Sequence, residues 1–140
     1  MNSFVKISRI VTIFLLLFTG VNAIVAGILF VIDPSGKKIG MSTSYLSHSP
    51  FSTFLIPGLT LLVVNGLLNI IASIICIKKH KHYPVFIIVQ GLLLSGWIII
   101  QVMMVKDFNL LHFVMLSIGL LLIANGLFLK FYLKVSPQKK

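Results

Sequence analysis

The chain has 140 residues, 58% hydrophobic and 10% charged, with a formal net charge of +10 and a mean hydropathy of +1.10. Such a composition excludes an ordinary soluble domain and predicts an all-α integral membrane protein. The basic excess does not indicate nucleic acid as a partner, because the lysines are split among short segments with no folded module to present them; attraction to an anionic lipid bilayer accounts for them.

Lys6 and Arg9 precede the first apolar run, about Ile10 to Ile32. Val21-Asn22-Ala23 fits a signal-peptide cleavage pattern, but the run continues far enough to remain as a span, and an uncleaved helix is expected. The outer loop 33–53 opens on Asp33-Pro34-Ser35-Gly36 and carries Ile39, Met41, Tyr45, Leu46 and Phe51. Its length invites a lid over the bundle mouth, beside the plainer reading of apolar side chains lying at the interface.

The second run is about 54–77, with Pro57 in its first turn. Asn65, Asn69, Ala72 and Cys76 form its most polar stripe at helical spacing. Cys76 is the one cysteine, so no intrachain disulfide forms, and a small buried residue is expected there rather than an acylated one. His80 and His82 lie among Lys78, Lys79 and Lys81 in the next connection, which reads as a solvated basic turn and not a metal pair.

The third run, about 84–105, contains Gln90, Trp97 and Gln101; the fourth, about 110–133, follows the Lys106-Asp107-Phe108-Asn109 turn and contains Asn125. Each run reaches roughly 33 to 36 Å at 1.5 Å per residue, enough to span. Because proline falls only at run edges, unbroken helix centres are expected. One integral membrane domain thus takes up residues 1–140 as a transmembrane four-helix bundle. Nine of the twelve basic residues flank one side, so the positive-inside rule places both the N-terminus and the C-terminus in the cytoplasm.

Four amides are each followed by a small residue: Asn22-Ala23, Asn65-Gly66, Gln90-Gly91 and Asn125-Gly126. An unpaired amide in hydrocarbon costs several kcal/mol, so all four are expected to point inward. Asn22, Asn65, Asn69, Gln90, Trp97, Gln101 and Asn125 are therefore candidates either for interhelical packing or for lining a neutral ligand site. The segments Leu61–Leu68 and Leu121–Phe128 are identical at five of eight positions and share Asn-Gly, which hints at two similar hairpins in a parallel repeat.

No span has a central Asp, Glu or His, which disfavours a proton-coupled carrier. Facing histidines for haem are absent as well, and no cofactor is expected. An outer-face cluster of Asp33, His48, Asp107 and His112 would suit a divalent metal or a proton switch, although the four are far apart in sequence.

Asp33-Pro34-Ser35-Gly36, Ser49-Pro50-Phe51, Phe54 to Pro57-Gly58, Asn65-Gly66 and Gly96-Trp97-Ile98 to Gln101 give the chain its resemblance to a group of small bacterial four-helix integral membrane proteins. In architecture it is also similar to the DoxX-like proteins. Where that group opens its fourth helix with Leu-Gln-Pro, this chain has Asn109-Leu110-Leu111-His112. The resemblance implies a fold and an inner (plasma) membrane location, and carries no activity with it. Without an acid, base and nucleophile set, the leading expectation is a non-enzymatic protein acting through helix packing, as a homo-oligomer or a partner of another membrane protein. The alternative is a small-molecule carrier or channel with an amide-lined site near the bilayer midplane.

Overall fold

A computed structural model describes residues 3–105 and 110–135. Four helices dominate: α1 (Ser3–Ile32), α2 (Leu55–Ile77), α3 (Tyr83–Val105) and α4 (Leu110–Val135). All four are long and apolar enough to cross a membrane, and residues such as Phe14, Ile28 and Phe113 turn outward, as a lipid-facing surface requires. Asp107, Pro137 and Lys139 lie outside the described residues.

α1 begins seven residues before the expected Ile10. Its first turns carry charge and so fall below a hydropathy threshold, yet Val5 is fully buried in a cluster with Cys76, Tyr83 and Leu129. Arg9, one turn on, reaches Cys76 as well, donating from Nη1 to its carbonyl at 3.4 Å, a cation at the carbonyl end of α2. That helix stops with Lys79 in the left-handed region, φ 53°. The His80 N–H bonds to Ile75 and the Lys79 N–H to Cys76, the paired bonds of a Schellman ending.

α1 packs along α2 and α3 along α4, while the two hairpins meet more thinly, α1 on α4 and α2 on α3. Glycine sets the close approach in each hairpin. A Cβ at Gly27 would lie 2.9 Å from the Gly58 carbonyl oxygen and 2.7 Å from Leu62 Cβ; one at Gly91 would lie 2.7 Å from both the Gly119 oxygen and Ile123 Cγ1. A Cβ at Gly66 would meet Ile24 Cγ1 at 2.7 Å, and one at Gly126 would meet Ile88 Cγ1 at 2.6 Å. The contacts therefore repeat: Ile24 and Gly27 correspond to Ile88 and Gly91, and Gly58, Leu62 and Gly66 correspond to Gly119, Ile123 and Gly126.

This equivalence gives the parallel repeat a geometric basis and corrects its register. Gly66 is eight residues beyond Gly58, whereas Gly126 is seven beyond Gly119. Seven residues make two α-helical turns; an eighth would swing Gly66 about 100° off its face. The extra residue is absorbed between Leu62 and Gly66, where Leu61–Leu67 forms a π-helical stretch and the Leu68 N–H bonds back to Val63. The centre of α2 is thus unbroken, as the proline positions suggest, but not a regular α-helix.

Deleting Val63 should restore the seven-residue spacing and leave a folded bundle, while deleting Leu121 from α4 should displace Gly126 and prevent folding. Helicity and thermal melting in detergent distinguish the two, and equal damage by both deletions would contradict the register.

Candidate functional site

A cavity of about 350 Å³ occupies the half of the bundle nearest the 33–54 loop. Thr19, Asn65, Leu94 and Met115 form its floor at mid-depth, with Ala23 and Ala26 of α1 and Trp97, Ile98 and Gln101 of α3 on the walls. Ile39, Met41, Leu46 and Phe54 close the loop end. Its size is that of a small-molecule site, and apolar walls with a few polar groups are the usual composition. Among the described residues no Lys, Arg, Asp or Glu lines it, and His112, buried at the mouth of α4, is the one lining histidine.

The roof is built by the loop's own turns. The Ser35 hydroxyl donates to Asp33 Oδ1 at 2.6 Å, and the Phe54 N–H donates to the Pro34 carbonyl at 2.8 Å. Gly36 has φ 81° and lies against the Phe54 ring, 2.9 Å from where a Cβ would be, so a side chain there would be strained and crowded. Phe54 stacks on Phe30 with ring centroids 4.8 Å apart, and Leu46 is buried with them. The apolar loop residues therefore act partly as the expected cover; Tyr45 remains exposed.

The candidate amides divide. Asn65 is fully buried on the cavity floor, and neither its Oδ1 nor its Nδ2 has a partner among the described residues; the Thr19 hydroxyl beside it on the floor is in the same condition. Trp97 and Gln101 share the wall, as their one-turn spacing suggested. Asn69 and Gln90 are buried but do not line the cavity. Asn69 donates instead to the Asn65 backbone carbonyl at 2.6 Å, one turn back on its own helix. Asn125 donates to the Thr12 hydroxyl at 3.2 Å, a bond from α4 to α1 that stands between the cavity and a more open hollow of about 470 Å³ near Ser8, Val11 and Tyr132.

Asn22 corrects the expectation that every amide points inward. It is exposed on α1 at the cavity rim, and its Nδ2 donates to the Phe18 carbonyl at 2.7 Å. An amide that bonds its own helix needs no neighbouring helix.

The outer-face candidates stand in different settings, with His112 buried at the cavity mouth. Asp33 is engaged by Ser35, whose hydroxyl holds the carboxyl below its ordinary range; His48 is exposed in the loop; Asp107 lies outside the described residues. Among the described residues no three of His, Cys, Asp and Glu come together in a group able to hold a metal ion. The cavity's shape was beyond sequence reasoning, although the alanines at 23 and 26 that leave it unfilled are visible there.

No protein-family model, curated protein or solved structure matches the chain.

Two outcomes are expected. A Thr12→Val, Asn125→Leu double-mutant cycle, read by reversible unfolding in mixed micelles, should give a coupling of about 0.6 to 1.7 kcal/mol, the range of interhelical hydrogen bonds. Because the folded Asp33 pKa is lowered, its contribution to loop stability is present above the ordinary carboxylate range and is lost as pH falls through the lowered value. Ser35→Ala should move the Asp33 carboxyl titration, followed by NMR, back upward.

Proposed function

We propose that the chain is a non-enzymatic multi-pass protein of the plasma membrane that takes up a small neutral molecule in the cavity between its helices, as a binding protein or carrier. The observation that carries this reading is Asn65: a carboxamide at zero exposure, with donor and acceptor both unengaged, on the floor of a 350 Å³ cavity. A buried unsatisfied polar group costs about 1–3 kcal/mol, and a ligand bound there recovers that cost. A lining without Lys, Arg, Asp or Glu among the described residues favours a neutral guest. Nine of twelve basic residues flank the end bearing the termini, which supports an orientation with the termini in the cytoplasm and the cavity in the outer half.

Packing through amides remains part of this reading for Asn125, which bonds Thr12 on another helix. Helix association with a second copy or another membrane protein is compatible with the outward apolar faces but gives Asn65 no partner.

Trp97 is the only tryptophan and lines the cavity, so its emission reports occupancy. The bromine-labelled alcohol 12-bromododecanol should quench Trp97 in the wild-type protein in lipid nanodiscs, and Ala26→Phe, which fills the cavity, should abolish that quenching at unchanged melting temperature. Equal quenching of both proteins would mean that the probe acts from the lipid and that the cavity does not bind it.

A further inference from the structure

Resting on that reading, we infer that the guest is a single-chain amphiphile with a neutral head that both donates and accepts hydrogen bonds, entering sideways from the bilayer between α1 and α4.

The route follows from what covers the cavity. Its loop end is shut by the buried Leu46 and by Phe54 stacked on Phe30. The lining residues that are also exposed along the helices are Phe18 and Asn22 on α1 and Leu111 and Val114 on α4. This is the seam where the two hairpins meet, and they meet thinly. The opening along the helices therefore faces the acyl chains. A molecule already dissolved in the membrane reaches it without crossing water, and a tail longer than the cavity leaves through the same gap.

The head is defined by the floor. Asn65 offers two N–H donors and an acceptor oxygen, and the Thr19 hydroxyl offers one more of each; none is engaged among the described residues, and both side chains are fully buried. A carboxylate satisfies Nδ2 but has no hydrogen for Oδ1. An ammonium does the reverse, and either brings a charge that no described lining residue balances. An alkane leaves every group unsatisfied. A primary amide pairs with Asn65 through two antiparallel N–H···O bonds, and an alcohol makes the same bonds singly. Ala23, Leu94, Ile98 and Met115 then surround the first carbons of the tail. Asn22 puts an amide on the rim, where an incoming head leaves the lipid.

The test is competition for the cavity in lipid nanodiscs, read as recovery of Trp97 emission quenched by 12-bromododecanol. Dodecanamide and dodecanol should displace the probe at concentrations about tenfold or more below dodecanoate, dodecylammonium and dodecane, because the charged and apolar heads leave buried groups unpaired. Asn65→Leu should flatten the series, bringing dodecane level with dodecanamide, and Asn65→Ala repeats the measurement with a smaller change. Val114→Phe should slow association several-fold in stopped-flow. Dodecanoate or dodecylammonium competing as well as dodecanamide, or a series unchanged in both Asn65 variants, would overturn the head assignment while leaving cavity binding intact. Unaltered association in Val114→Phe would overturn the lateral route. Displacement by none of the five compounds would remove the cavity reading itself.

Discussion

Between helices in hydrocarbon there is no hydrophobic force to draw them together, because lipid tails are as apolar as leucine. Association rests on backbone contact, and here that contact is made at glycine: Gly27 on Gly58, Gly66 on Ile24, Gly91 on Gly119 and Gly126 on Ile88. These approaches leave no room for a Cβ, so each hairpin is closed along its length. The same economy leaves the seam between hairpins under-filled. Two hollows lie along α1 and α4, separated by the Thr12–Asn125 bond, and the deeper one is roofed by the loop that joins α1 to α2.

Buried polar groups differ in whether the protein partners them. Some find partners, Asn69 on the Asn65 carbonyl and Ser73 on the Ile70 carbonyl within α2 and Asn125 on Thr12 across the seam, whereas Gln90 Oε1 and Ser95 Oγ in the α3–α4 hairpin have none among the described residues. On the cavity floor, Asn65 and Thr19 are fully buried and have no side-chain partner among the described residues. Asn65 and Asn125 hold equivalent places in the two hairpins, one satisfied across the seam and the other not. Asn125 bonds the Thr12 hydroxyl, whereas Asn65 and Thr19 line the same cavity without bonding each other.

Much of the architecture was legible in the sequence because hydropathy measures what a membrane selects. The four spans end within about two residues of expectation except at Ser3, where Lys6 and Arg9 masked two turns that Val5 anchors from inside. Depth was legible too, since counting along a helix gives it directly. Azimuth was not: Asn22 and Asn65 are both near mid-span, and whether an amide bonds its own helix or faces a cavity depends on neighbours that hydropathy does not see. The π stretch left a trace, the unequal glycine spacings in α2 and α4, but only the contacts of Ile24 and Ile88 show which residues correspond. The cavity left less, because a void is set by side chains that fail to fill it.

The extra residue in α2 lets two similar hairpins carry different things. Leu61 and Asn65, both within the π stretch, line the cavity, while the regular α4 supplies the partnered amide. A chain that uses one hairpin plan twice can let a single inserted codon distinguish the copies, because the wider turn absorbs the insertion without disturbing the glycine contacts on either side. One copy then keeps the scaffold while the other is free to acquire chemistry.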